Sequence, residues 1–263
     1  MIISFAMYKL DSTLSNTKVI IVLLLTGNAG MSSLETTQVY LERHHGGDGR
    51  LAAQRTLESH QRNHDASFQT FWNTHVNLAP DTTAHLIDLG CGPGLFLQDL
   101  HQRYPDAQLT GIECAPYMLE LVDNLPASVQ IQVADLNLDL PELFALETVD
   151  VALANRLIHE LHQPVSLFRN LYRWLKPGGV VILVDMVRQP LKSALLHELK
   201  GVSLTDPQVT DEWLQAQFLH YLEHNRYHPE DLCDLLEMCG FELLACESIR
   251  SGRAAQIAIR KPV

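Results

Sequence analysis

Short apolar runs rich in Val, Ile and Leu recur through the middle of this chain, separated by longer stretches of helical character. They are Ala84–Leu89, Gln108–Ile112, Val129–Val133, Val149–Ala154 and Gly179–Asp185. Runs of this length with little polar alternation fit strands covered on both faces, and strands separated by helices pair in parallel. Parallel pairs need right-handed crossovers, so the pattern predicts an α/β fold with a doubly wound sheet. The expected helices are Leu95–Arg103, Pro116–Leu125 and Val165–Leu175. The last of these ends at Lys176-Pro177-Gly178-Gly179, read as a turn that cannot continue a helix.

The pattern changes after Asp185. Residues from Gln189 to His228 read as two helices, and Pro229–Cys239 as a third closed by Gly240. Phe241–Ile249 and Ala254–Arg260 read as strands joined through Arg250-Ser251-Gly252-Arg253, a hairpin loop, so the sheet is expected to end in an antiparallel pair. Residues 31–83 are expected to form an N-terminal helical cap, 84–263 the main domain, and 188–228 a helical insertion over it. In the first thirty residues, Lys18 precedes the run Val19–Leu25, far shorter than the ~20 apolar residues that cross a bilayer. No A-x-A-like cleavage site follows it, and Met31 offers an alternative start. The segment is read as an extension or a mis-assigned start, with a secretory signal as the remaining reading, and no function is assigned to it.

Composition narrows the partners. With 263 residues, 46% of them hydrophobic and 19% charged, the chain can bury a sizeable core. Its net charge of −12 repels a phosphate backbone, so nucleic acid is not expected as a partner. The five cysteines, Cys91, Cys114, Cys233, Cys239 and Cys246, show no CxxC spacing, which suits reduced thiols in a cytoplasmic protein.

The chemistry gathers behind the first of the five strands. Asp88-Leu89-Gly90-Cys91-Gly92-Pro93-Gly94 is a glycine-rich loop that opens directly into an apolar helix. Such a loop lets backbone approach a ligand and presents unpaired N–H groups. Glu113 ends the second strand, where a carboxylate can accept both hydroxyls of a ribose. Asp135 follows the third, placed to accept from an adenine amine, with Asp139 as its alternative. Ligands of open α/β sheets bind beyond the carboxyl ends of the strands, so these elements converge on an adenosine-containing ligand. A dinucleotide site would show G-x-G-x-x-G. Here G-x-G-x-G follows Asp88, a carboxylate that repels a pyrophosphate and suits an ammonium group.

Together these segments, with VDVALANRLIHEL, LKPGGVVILVD and YHPEDLCDLLEMCGFE, resemble the class I S-adenosylmethionine-dependent methyltransferases, closely over Ala84–Met186 and more loosely over Tyr227–Arg260. The resemblance implies a Rossmann-like, doubly wound seven-stranded sheet with an antiparallel last strand, a helical lid after the fifth strand, and S-adenosylmethionine as cofactor. By the same resemblance Gly90, Gly92 and Gly94 would line the methionine and ribose portion, and Asp88 would sit near the amino group. Glu113 would hold the ribose and Asp135 the adenine, with Cys91, Cys114, Leu136 and Asn155 completing the lining. Cys91 is expected to have no nucleophilic role.

Family members with a similar NxxxHEL segment place it beside the methyl donor. His159 is therefore the candidate general base, with Glu160 and His162 beside it, His162 sharing its helix face at i+3. HELH is not the HExxH zinc signature, and in His220, His224 and His228, with Glu223 among them, Pro229 breaks the face; no metal is expected. Ala154-Asn155-Arg156-Leu157 replaces the [DN]PP[YF] of enzymes that act on flipped bases, leaving a small-molecule acceptor. Stripes at Phe68, Phe71 and Trp72, and at Leu191, Leu195, Leu196, Trp213, Phe218 and Tyr221, read either as plain core, the commoner role of such stripes, or as a roof over the pocket, and a roof would favour an apolar or aromatic acceptor. A cofactor-binding subunit without turnover and, less well supported, a nicotinamide-dependent oxidoreductase are the alternatives. The protein is expected to act away from membranes, as a monomer or homodimer.

Overall fold

The structure, a computed structural model, describes residues 19–21, 33–224 and 226–263. Three helices come first: α1 (Ser33–His44), α2 (Gly49–Asn63) and α3 (Ala66–His75). Asp48 and Asp65 start the second and third, each accepting a hydrogen bond from a first-turn amide, Leu51 N at 2.9 Å and Phe68 N at 3.1 Å.

The strands are β1 (Val19–Ile21), β2 (His85–Leu89), β3 (Gln108–Ile112), β4 (Val129–Val133), β5 (Val149–Asn155), β6 (Leu175–Met186), β7 (Glu242–Ile249) and β8 (Ala254–Arg260). They form one sheet in the order β1-β4-β3-β2-β5-β6-β8-β7. Pairings from β1 to β6 are parallel, while β8 runs antiparallel to both β6 and β7. Seven strands thus form the doubly wound sheet with its reversed last strand. The three-residue β1 adds an eighth at the edge, from a segment read as having no role; the remainder of its apolar run lies outside the described residues.

Between the strands lie α4 (Leu95–Arg103), α5 (Pro116–Leu119), a 3-10 turn at Ile158–Glu160, α6 (Val165–Trp174), α7 (Leu191–Leu199), α8 (Asp211–Glu223) and α9 (Pro229–Met238). Two of these differ from expectation. The helix expected over Pro116–Leu125 is a single turn, because Asn124 adopts a left-handed φ of 54° and Pro126 disfavours helical backbone in the residue before it. Lys176–Gly179 is not a free turn, since β6 leaves α6 directly at Leu175. Gly178 N donates to Lys261 O at 2.8 Å and Lys261 N to Gly179 O at 2.9 Å, so the chain's last residues draw this stretch into the ladder. The register against β5 shifts to absorb it.

Apolar clusters cover both faces of the sheet. On one, α6 buries Leu167, Phe168, Leu171 and Trp174 against Ile87, Leu89 and Val181. These fall at i, i+1, i+4 and i+7, one helical face, each contributing roughly 1.5–3 kcal/mol through burial. On the other, Phe68, Phe71 and Trp72 of α3 pack against Leu86, Phe96 and Leu109. That second cluster decides between the two readings of the stripe, whose aromatic rings are core and not pocket roof. Beyond the carboxyl ends of the strands, β3 lies on one side of β2 and β5 on the other, the point where the strand order reverses and a crevice opens.

Candidate functional site

A cavity of about 730 Å³ occupies that crevice. It falls within the range of small-molecule sites, roughly 300–1,000 Å³. Its floor comes from the strand ends, with Asp88, Gly90, Cys91 and Gly92 at the end of β2 and just past it, Ile112, Glu113 and Cys114 at the end of β3 and just past it, and Asp135 and Leu136 after β4. Asn155 ends β5, and His159 and Glu160 follow it.

Gly90 and Gly92 have φ of 67° and 54°, left-handed backbone that a β-carbon would strain. At Gly90 the added carbon would also stand 3.1 Å from a Leu157 methyl group. Gly94 departs from the expected role: its α-carbon faces Leu125 and Ile131 in the core, and it is not among the residues lining the cavity. It turns the chain into α4 with φ 80°.

Glu113 organises the loop. One carboxylate oxygen accepts from Gly92 N at 3.0 Å; the other accepts from Cys114 N at 2.8 Å and Ala115 N at 2.7 Å. Burial raises its pKa and these three backbone donors oppose the rise. Asp88, 4% exposed, is pushed up to about 8 by burial and then by the neighbouring Glu113 charge. Its carboxyl has no side-chain hydrogen bond to another described residue, a deficit that an incoming cation would meet. Asp135 accepts from Thr37 Oγ1 at 2.6 Å and from Asn137 N at 3.0 Å. The alternative, Asp139, pairs with Arg173 on the surface and does not line the cavity. Burial, together with the nearby carboxylates, raises the Cys91 and Cys114 thiols well above their ordinary value, which fits lining residues and not nucleophiles.

The NxxxHEL segment behaves otherwise than expected. His159 is 3% exposed, and both ring nitrogens face carboxylates: Nδ1 stands 2.5 Å from Asp185 Oδ1 and Nε2 3.0 Å from Glu160 Oε1. Burial opposes its charge, but Asp185 and Glu160 outweigh burial and push it up to about 9. An imidazolium donating at both ends has no lone pair, so this geometry does not make His159 a base. Burial also disfavours a charged Glu160, yet hydrogen bonds from His159, His44 and His45 outweigh that and hold it ionised. His162 does not join them. The segment is a 3-10 turn followed by extended Leu161 (φ −81°, ψ 144°), so the i+3 face relation fails and His162 is exposed, its ring against Tyr40.

Apart from His220 and His224, the rest of the wall was not foreseen. From α1 and the loop after it come Thr37, His44 and His45; from α2, Arg55, Thr56 and Asn63; from α8 and beyond, His220, His224 and Arg226. His224 is lowered to about 3 by burial and then by His220, and is therefore neutral. His228 stands apart as the N-cap of α9, half exposed, and the i, i+4, i+8 histidine face is broken at Pro229, as the sequence led one to expect. The apolar residues of α7 and α8 named above are absent from the cavity wall. The repeated His44-His45 ahead of two glycines was the one local signal that α1 carries site residues.

Comparisons with known proteins agree with this geometry. Residues 87–183 match a family described as a methyltransferase domain. The trans-aconitate 2-methyltransferase of Shigella flexneri is 34% identical over 101 residues, 38% of this chain and 38% of that protein. The matched region thus spans little more than a third of this curated relative. Among solved structures, Haemonchus contortus phosphoethanolamine N-methyltransferase 2, bound to phosphomonomethylethanolamine and S-adenosylhomocysteine, superposes with a TM-score of 0.62 at 12% identity, over 86% of this chain and 60% of that one. The [4+2]-cyclase SpnF superposes with a TM-score of 0.57 at 19% identity, over 88% and 97% of the two chains.

Proposed function

We propose, on the premise that this chain belongs to the class I S-adenosylmethionine-dependent methyltransferases and takes S-adenosylmethionine as its cofactor, that it transfers a methyl group to a small, anionic acceptor. The observation that carries the reading is the convergence of three buried carboxylates, Asp88, Glu113 and Asp135, with left-handed Gly90 and Gly92 on one cavity whose far wall is histidine and arginine.

The cofactor supplies an electrophilic methyl on a sulfonium, displaced in line by the acceptor. Asp88 receives the ammonium group, which removes the cost of its own burial. Gly90 and Gly92 bring backbone to the methionine and ribose portion, while Glu113 accepts from the ribose hydroxyls with its orientation already set by three amides. Asp135 accepts from the adenine amine, and Ile112, Cys114 and Leu136 wall the base. Asn155, whose Nδ2 lies 3.1 Å from His64 Nε2, ties the end of β5 to the helical cap and narrows the methionine end. His159, clamped between Asp185 and Glu160, fixes the turn behind the methyl group and positions Glu160.

The acceptor side favours anions. Arg55, Arg62, Arg156 and Arg226 line the cavity of a chain whose net charge is −12, which supports an acceptor carrying negative charge. This replaces the apolar acceptor suggested by the aromatic stripes. Bringing the acceptor to about 3 Å from the methyl carbon in a fixed orientation supplies most of the acceleration.

Calorimetric titration with S-adenosylmethionine, S-adenosylhomocysteine and NAD, followed by incubation with labelled methyl donor and a panel of small carboxylates and phosphates, tests the reading. Binding of both sulfur ligands and a product heavier by one methylene is expected. Binding of NAD alone would overturn the cofactor assignment, and label transferred only to neutral apolar acceptors would overturn the acceptor class. Tight binding with no transfer to any acceptor would favour a cofactor-binding subunit.

A further inference from the structure

His44, Glu160 and His224 come from three separate parts of the chain, the end of α1, the 3-10 turn after β5, and the end of α8, yet one donor atom from each lies within 4.8 Å of the others. We propose that these three side chains form a binding site for a divalent transition metal such as Zn2+, at the acceptor end of the cavity, with a position left open for an oxygen or sulfur anion of the acceptor.

The donor set is two imidazoles and one carboxylate, which is a zinc ligand set of the kind that keeps a fourth position for substrate. His44 Nδ1 stands 3.3 Å from Glu160 Oε2. Two ligands each about 2.1 Å from a tetrahedral metal lie roughly 3.4 Å apart, so this pair already has the edge length of such a site. The His44 side chain is 2% exposed and His224 6% exposed as a residue. His44 Nε2 and His224 Nδ1 are buried without a hydrogen-bond partner among the described residues. A metal held by His44 Nδ1 and Glu160 Oε2 would also satisfy His224 Nδ1, a buried imidazole nitrogen that otherwise needs a partner.

Glu160 Oε1 is taken by His159, itself held by Asp185, which leaves Oε2 directed at His44. A ligating carboxylate oriented by a hydrogen-bonded neighbour is the arrangement that fixes metal geometry. All three ligands line the cavity. An acceptor hydroxyl or thiol bound there would lose its proton to water and be held as an anion. Its lone pair would then form the bond to the methyl carbon as the carbon–sulfur bond breaks, with that electron pair returning to sulfur as a neutral thioether.

The position of the site beside the methyl donor rests on the function proposed above, whereas its existence does not. The test is titration of chelator-treated full-length protein with Zn2+ by calorimetry and with Co2+ by visible absorption, alongside S-adenosylhomocysteine binding to the same samples. One equivalent of metal is expected, with Co2+ giving the intense bands of a low-coordinate site that shift when acetate or β-mercaptoethanol is added. His44→Ala, His224→Ala and the near-isosteric Glu160→Gln should each weaken Zn2+ by at least about 100-fold. The surface variant His197→Ala should not, which separates the site from general imidazole binding. Absence of stoichiometric binding, or affinity undiminished in folded Glu160→Gln and His224→Ala, would overturn the proposal. Loss of metal binding with S-adenosylhomocysteine binding retained defeats only the metal site; metal binding without S-adenosylhomocysteine binding defeats only the cofactor reading.

Discussion

Replacing Asp88 by Asn removes a proton that the folded, cofactor-free protein holds and the unfolded chain does not. Burial and the Glu113 charge push the Asp88 carboxyl up to about 8, against 3.8 ordinarily. Between those values the native state binds one proton more than the unfolded state, so stability falls as pH rises, by about 1.4 kcal/mol per pH unit. From pH 6.5 to 7.5 this amounts to roughly 3–5 °C in melting temperature for a protein of this size. His159, raised to about 9, adds a slope of the same sign in wild type and variant alike, and His64, lowered to about 4 chiefly by burial, adds to both a slope of opposite sign that fades as pH rises past 6.5. The difference between the two proteins therefore isolates Asp88. Melting curves of cofactor-free wild type and Asp88→Asn across this range should diverge by that amount, the variant gaining on the wild type as pH rises. Binding S-adenosylmethionine at pH 7 should release close to one proton from the wild type and none from the variant, read from calorimetry in buffers of different ionisation enthalpy. A wild-type-minus-variant difference that stays flat with pH, or equal proton release from both, would refute the account of this carboxyl.

Other outcomes follow from the same geometry. Glu113→Gln turns one of the two acceptor oxygens into a donor, so at least one backbone amide loses its acceptor, and it should weaken S-adenosylhomocysteine binding about 10- to 100-fold by calorimetry, whereas Asp139→Asn, which disturbs only an exposed ion pair, should leave it unchanged. Gly111→Ala would place a methyl group 2.6 Å from both Cys91 Sγ and Leu97 Cδ1. We expect a loss of about 1–3 kcal/mol, seen as a lower urea midpoint at constant slope, with looser ligand binding because Cys91 belongs to the loop. His162→Ala should leave turnover intact in a steady-state assay, since its ring faces Tyr40 and solvent.

Where local chemistry decides a feature, it was legible. The loop from Asp88 to Gly94 announces itself because positive φ demands glycine at Gly90 and Gly92, and Glu113 and Asp135 are located by the strands they end. His159 was found but misjudged, because its role depends on Asp185, 26 residues away along the chain. His162 was misplaced because a helix was assumed where a 3-10 turn forms. The Phe68, Phe71 and Trp72 stripe looks alike whether it faces a core or a pocket; periodicity reports a buried face and not what covers it.

The alternation of strand and helix, the parallel pairing and the position of the cofactor crevice beyond the strand ends are thus legible in the sequence alone, since they follow from short-range patterns and from sterics common to all parallel sheets. The wall facing the acceptor is not. His44, Glu160 and His224 become neighbours only when α1, the turn after β5 and α8 close over the same strand ends. No local rule links residues that distant, because what brings them together is the burial of separate apolar surfaces that leave those side chains facing one another.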